Sequence, residues 1–456
     1  MKRVLLIVLV ITAIIGVGGW YLVQKLMPPK ASTAALDPAQ ATLANAFLDL
    51  LDAHRYDEAL AMATSQMREG LGGGKLKDTW EALPKQLGER QSRGALRGES
   101  IDGRPIITSA LAFPMLALDA RITFDANNLI AGFRLVPAQA PTLAHAPESG
   151  DAWHEVDLAV GQGADALPGT LTLPRGSGPF AAVVLVHGSG PHDRDETIGP
   201  NKPFRDLAHG LADRGIAVLR YEKRTKAHPE HYANGDFTID DETVNDALAA
   251  VAALRMRSEV DTKRIFVAGH SLGAMFAPRI GQRDPDIAGL VLLAAPALRL
   301  EDTVIRQMRY IAHFDGRSDT EIDTLIAPLE RQREAVKHLD ADKPQDEPLL
   351  LKLPKRYWLD LNTYDPIAVA RDIAQPMLIL QGGHDYQVTA KDDFSLWQAA
   401  FGSNPRIRLI EYPLLGHTFM PGNDPPGPKD YQQAAHVDAK VIVDIAEWIT
   451  ARQERS

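Results

Sequence analysis

The residues that can do chemistry begin with Gly269-His270-Ser271-Leu272-Gly273. This G-x-S-x-G run follows the apolar stretch Arg264 to Ala268 and precedes a helical pattern starting near Leu272. A serine between a strand and a helix is held in a strained turn that lifts its Oγ above the sheet. Gly269 and Gly273 are required there because side chains would collide with the adjoining strand and helix. A serine hydroxyl is inert at neutral pH and needs a base. The order Ser, acid, His places that base late in the chain, after the last strand. Leu415-Gly416-His417-Thr418-Phe419 follows the strand-like Arg406 to Tyr412, so His417 is the expected base. His436 competes, but Gln433-Ala434-Ala435-His436-Val437 reads as the interior of a helix. The orienting acid belongs between them, at a strand end. Asp385, in Gly382-Gly383-His384-Asp385 after the run Met377 to Gln381, fits that place. Asp392 and Asp393 read as caps of the next helix.

A tetrahedral intermediate needs two backbone N–H donors for its oxyanion. One is expected from Leu272, directly after the nucleophile. The other is expected from His187-Gly188-Ser189-Gly190-Pro191, after the apolar run Ala181 to Val186, with Ser189 preferred and Gly190 second. Neither His187 nor His192 is needed for catalysis. The stretch Asp193-Arg194-Asp195-Glu196 reads as an ion-pair network that braces this loop against Lys223 and Arg224. The competing reading puts Arg194 on a polar substrate group, or the acids on an amine.

No cofactor is required, and the motifs for one are missing. The fourteen histidines include no His-Glu-x-x-His. His228 and His231 lie in a loop rich in Pro, Asn and Gly with no third metal ligand in sequence reach. There is no cysteine, so thiol catalysis, thiolate metal sites and disulfides are excluded. A net charge of −10 without a basic cluster argues against nucleic acid.

The elements that must position these residues follow from periodicity. From Asp151 onward, apolar strand patterns alternate with helical ones, which implies a mostly parallel sheet covered by helices on both faces. The exception is 297–373, which is charged, helical in pattern and free of strand signals. It reads as a cap above the sheet. Before the catalytic region, residues 39–137 read as a small α+β domain. Helical patterns run from Ala39 to Met67, Gly70 to Gly74 break them, and strands are expected at Pro105–Phe113, Leu116–Phe124 and Leu129–Val136. Asp125-Ala126-Asn127-Asn128 is the turn between the last two. Linkers are expected at 28–38 and 138–150.

The N-terminus carries Lys2 and Arg3 before an uncharged run from Val4 to Val23. Twenty helical residues span roughly 30 Å, the thickness of a hydrocarbon core. Residues 1–27 are therefore read as a signal anchor spanning the membrane, with the catalytic domain on the periplasmic side. The alternative is a cleaved signal peptide and a secreted or periplasmic product.

The segment 39–137 resembles the cone-shaped α+β domain of the nuclear-transport-factor type. His187 to Glu196, together with Gly269-His270-Ser271-Leu272-Gly273 and Gly383-His384-Asp385, resembles the EstD-type bacterial esterases, a branch of the α/β-hydrolases with a small N-terminal domain. That resemblance covers about residues 150–450. It implies hydrolysis of small carboxylic esters by Ser271, His417 and Asp385 through an acyl-enzyme. An aminopeptidase or amidase would use the same triad, and a surface binding protein could reuse the scaffold without turnover. Acyl chain length, natural substrate and oligomeric state are not specified by the sequence.

Overall fold

The computed structural model describes residues 32–33, 35–87, 89–101, 104–113, 117–137, 148–232, 236–343 and 348–451. The expected membrane anchor at 1–27 lies outside the described residues. Among those described, no helix is long and apolar enough to cross a membrane. The described residues divide into two compact units, the first ending at 137 and the second starting at 148.

In the first unit, helices Pro38–Asp52, Tyr56–Ala61, Ser65–Leu71 and Lys75–Leu87 precede an antiparallel sheet. Asp37 caps the first helix by accepting from the Ala39 and Gln40 amides. Its strands are β1 (Ser32–Thr33), β2 (Ser92–Arg93), β3 (Arg97–Ile101), β4 (Arg104–Ala112), β5 (Ala117–Phe124) and β6 (Ile130–Pro137). Alternation along β4 and β5 turns Ile107, Leu111, Leu118, Ala120 and Ile122 into one core with Phe47, Leu48 and Leu51. Asp125 closes the β5–β6 turn through its side chain, which accepts from the Asn127 and Leu129 amides at 2.9 Å each. β1, β2 and β3 have no counterpart in the sequence reading, which expected a linker at 28–38 where β1 lies; the polar residues of these strands give a weak alternation.

The second unit is built on an eight-stranded sheet. Its strands are β7 (Trp153–Asp157), β8 (Gly169–Pro174), β9 (Phe180–Val186), β10 (Ile216–Tyr221), β11 (Val260–His270), β12 (Gly289–Leu293), β13 (Met377–Gly382) and β14 (Ile407–Tyr412). Their spatial order is β14-β13-β12-β11-β9-β10-β8-β7. β9 to β14 pair in parallel, whereas β7 and β8 are antiparallel additions at one edge. β9 leads outward to β10 on one side, and β11 leads to β12 on the other. The strand order therefore reverses between β9 and β11, and a crevice opens at their carboxyl ends. Register sets the depth of that crevice: Gly269 pairs with Val186, and His270 with Leu293. The loop after β9 and the turn after β11 thus leave the sheet side by side.

Among its described residues the expected cap holds no strand, and its main elements are the helices Leu300–Phe314, Asp319–Lys337, Lys355–Asn362 and Pro366–Asp372. Ser318 and Glu321 form a capping box at the start of the second.

Candidate active site

Ser271 has φ 52° and ψ −115°, a conformation that a non-glycine residue adopts only when its surroundings impose it. Its amide donates to the Leu293 carbonyl at 2.8 Å, and its carbonyl accepts from Met275 at 2.9 Å. These bonds lock the turn between β11 and the helix Leu272–Arg283. A Cβ at Gly269 would lie 2.3 Å from the Gly273 carbonyl oxygen, and one at Gly273 would lie 2.3 Å from that of Val186. Both glycines are required by backbone approach, as the motif implied. Leu272 opens the helix, so its amide has no carbonyl one turn earlier in the helix to bond. The helix continues through Pro278 to Arg283.

Asp385 follows β13 and is buried. Its Oδ1 accepts from the amides of Gln387 at 2.8 Å and Val388 at 3.0 Å. Its Oδ2 accepts from Gln381 Nε2 at 3.3 Å and from His417 Nδ1 at 2.6 Å. The carboxylate thus requires the proton on Nδ1 and leaves Nε2 of His417 as an acceptor. Gly382 and Gly383 let the loops after β13 and β14 cross, since a Cβ on Gly382 would sit 2.4 Å from the Leu415 carbonyl oxygen.

His417, Ser271, Gly188 and Ser189 line one cleft, with His192, Glu196, Ile198, His270, Tyr386, Gln387 and Tyr431 completing its walls. Asp385 stands behind His417, and Leu272 follows Ser271 into the helix. His436 points elsewhere. It lies in an irregular segment rather than the expected helix interior, and its Nδ1 is 3.1 Å from Asp206. The break before Asp438, which caps the helix Ala439–Thr450, explains that difference.

The loop after β9 is braced from several directions. Gly188 N–H donates to Glu196 Oε1 at 2.6 Å, so this amide is committed within the loop. Lys223 Nζ donates to the Gly188 carbonyl at 2.8 Å. His187 Nε2 donates to the Asp193 carbonyl at 3.0 Å, and His192 Nε2 to that of Ser189 at 2.7 Å. Burial pushes the pKa of His187 down to about 3 and lowers that of His192. Both rings are neutral struts at neutral pH.

The charged stretch after this loop does form a bracing network, though with other partners than expected. Arg194 pairs with Glu222 at 2.9 Å, and buried Asp195 pairs with buried Arg220, which also holds Glu155. Glu196, at φ 51°, reaches His270 Nδ1 at 2.9 Å. Burial opposes charge on both Glu196 and His270. Their mutual attraction outweighs it, lowering the Glu196 pKa and raising that of His270. Of the two expected cations, Lys223 binds the loop's backbone, while Arg224 turns to Asp246 at 3.0 Å. Sequence reasoning had given no role to His270, although it sits inside the motif. Its Nε2 donates to the His417 carbonyl at 3.0 Å and so ties the Ser271 turn to the loop that carries His417.

Residues 297–373 contribute no side chain to the walls of this cleft among the described residues. Instead the helix Leu300–Phe314 supports them. Tyr310 stacks on Tyr386 at 5.4 Å, and Arg306 donates to the Gln387 carbonyl at 2.8 Å. Gln387 in turn donates to the Tyr431 hydroxyl. Tyr431 had no local signal, because it reaches the cleft from the short 3-10 helix Pro428–Gln432, well beyond β14. Among the described residues, no group of three or more His, Asp or Glu is placed to hold a metal ion.

With this geometry in hand, comparison with known proteins is informative. The family model described as "Serine aminopeptidase, S33" matches residues 177–425. A second, described only as a protein of unknown function (DUF3887), matches residues 44–133. Esterase EstD of Thermotoga maritima is 36% identical over 405 residues, covering 88% of this chain and 93% of that protein. WAV2 of Arabidopsis thaliana, an α/β-hydrolase domain-containing protein, is 26% identical over 183 residues, 40% of this chain and 50% of its own length. Among solved structures, Est1E of Butyrivibrio proteoclasticus with ferulic acid bound is 16% identical, with a TM-score of 0.43 over 66% of this chain and 100% of that one.

Proposed function

This chain belongs to the α/β-hydrolase family of serine aminopeptidase S33 and is a carboxylesterase, and we propose that it works through Ser271, His417 and Asp385. The observation that carries this reading is the 2.6 Å bond from His417 Nδ1 to Asp385, at the wall of the cleft that Ser271 also lines. Substrate binds with its carbonyl carbon over Ser271. His417 Nε2 takes the hydroxyl proton as Oγ adds to that carbon. The Leu272 and Ser189 amides receive the oxyanion. Asp385 keeps the ring oriented and stabilises the imidazolium without taking its proton. Collapse expels the alcohol, protonated by His417, and leaves the acyl-enzyme. Water then repeats the addition, with His417 again acting first as base and then as acid, and releases the carboxylic acid.

An aminopeptidase on this scaffold would need a carboxylate to hold the substrate's ammonium group. Glu196 lines the cleft, but it is engaged by the Gly188 amide and by His270. Ester substrates therefore fit this site better. Short-chain nitrophenyl esters should be turned over and aminoacyl anilides should not, and Ser271→Ala should lose the esterase activity while melting like the parent. Ester turnover that persists in Ser271→Ala contradicts the mechanism.

The N-terminal run Val4 to Val23 is proposed to hold the enzyme in the membrane with its catalytic unit on the periplasmic side. Full-length protein should fractionate with membranes and retain Lys2. Protein whose N-terminus begins near Ala35 would show instead that the run is a cleaved signal peptide.

A further inference from the structure

Lys223 is buried, charged and unused by the mechanism above. It follows β10, and its Nζ has two neighbours of consequence. One is the Gly188 carbonyl, at 2.8 Å. The other is Glu242 Oε1, at 2.9 Å. Glu242 is equally buried, and its second oxygen accepts from the Tyr357 hydroxyl at 2.8 Å. Tyr357 is fully buried on the helix Lys355–Asn362, within the cap.

The Gly188 carbonyl shares one rigid peptide plane with the Ser189 N–H. That peptide is trans, so its C=O and its N–H point in opposite directions. A cation that fixes the carbonyl on one side therefore fixes the direction of the N–H on the other. Rotation of this plane is the obvious way for the donor to be lost, because Gly188 has no side chain to restrain it. The neighbouring plane is held separately, through the Gly188 N–H to Glu196.

Charge adds to the geometry. A cation on a carbonyl oxygen polarises the amide and strengthens its N–H as a donor, most of all in a site shielded from water. Burying two charges costs several kcal/mol each before they attract one another, and an apolar pair of similar volume fills the same space without that cost. Filling space therefore does not explain Lys223.

We propose that Lys223 is a positioning residue for the oxyanion hole: it fixes and polarises the Gly188–Ser189 peptide so that the Ser189 N–H faces the developing oxyanion, with Glu242 and Tyr357 holding the lysine in place. This rests on the triad reading, because it assigns the oxyanion to the Ser189 amide.

The test uses the full-length enzyme. Lys223→Met alone leaves Glu242 buried and unpaired, so the informative variant is Lys223→Met with Glu242→Leu, which removes both charges together. Loss of a whole oxyanion donor costs about 100- to 1,000-fold, and a donor that is present but unaimed should cost about 10- to 100-fold in kcat. KM should stay within about twofold, since the oxyanion exists only after attack. Affinity for an alkyl trifluoromethyl ketone, whose adduct with the serine carries an oxyanion, should fall by the same factor as kcat. Affinity for the product carboxylic acid should not follow it.

A folded double variant with parental kcat overturns the proposal. So does a loss shared equally by ketone and product acid, which would mean general damage to the cleft. A double variant that cannot fold assigns the pair to stability and also overturns it. Labelling by a fluorophosphonate separates this from the underlying reading. If Ser271 is labelled and the Lys223 variant behaves as the parent, the positioning role alone fails. If Ser271 is never labelled, the triad reading fails first.

Discussion

At the scale of the residue, the groups proposed for catalysis are held by more bonds than that chemistry uses. Asp385 accepts from Gln381, Gln387 and Val388 as well as from His417, which fixes both of its oxygens before substrate arrives. Such support keeps the imidazole in the one tautomer that leaves Nε2 free to take a proton. The same density of contacts makes the oxyanion loop sensitive to acid. His187 is neutral in the fold, with its pKa pushed by burial to about 3, and it reverts to an ordinary value near 6.5 when unfolded. Between these values the unfolded chain binds a proton that the folded chain refuses. Stability attributable to His187 is therefore complete above pH 6.5 and is lost progressively toward pH 3. Melting temperature measured from pH 7 to pH 4 should fall, and His187→Gln should show a shallower slope over the same range. Parallel slopes for the two proteins would remove His187 from the account of acid sensitivity.

At the scale of the element, strand ends do the positioning. β9, β11, β13 and β14 each deliver one part of the site from a carboxyl end, and paired registers set their relative depth. The close backbone approach at Gly273 joins the helix Leu272–Arg283 to β9, so any side chain there must displace the loop carrying Ser189. The helix Leu300–Phe314 acts one step removed. Tyr310 stacks on Tyr386 with its ring plane 16° away from parallel, and its hydroxyl donates to the Pro426 carbonyl at 2.7 Å. Removing it should loosen the Tyr386 wall while leaving the triad in place. Aromatic pairs of this kind are worth about 0.5–1.5 kcal/mol, so Tyr310→Ala should raise KM for nitrophenyl esters about three- to ten-fold with little change in kcat. A change in kcat at constant KM would mean that this helix acts on the chemistry instead.

At the scale of the whole molecule, what could be read from the sequence was set by how local each signal is. The parallel strands β9 to β13 read clearly because burial on both faces produces unbroken apolar runs, such as Ala181 to Val186. The turn at Ser271 read clearly because two glycines and a serine leave a fixed local imprint. By contrast, β2 and β3 were missed because their residues are mostly polar. The partners of Arg194, Asp195 and Glu196 were misassigned because pairing across the sheet depends on which side chains face one another after folding. Tyr386 and Tyr431 were overlooked as cleft walls for a similar reason, since they meet only when separate loops converge. The cap read at 297–373 meets the same limit: a helical pattern reveals an insertion, but not the surface on which it settles.

The central claim is that Ser271 is the nucleophile. Its most direct test is to treat the full-length enzyme with a fluorophosphonate and map the adduct by peptide mass spectrometry. The account predicts a single adduct on Ser271, with loss of ester hydrolysis in proportion to labelling and no adduct in Ser271→Ala. An adduct on another serine that tracks the loss of activity, or full activity with Ser271 labelled, would contradict it.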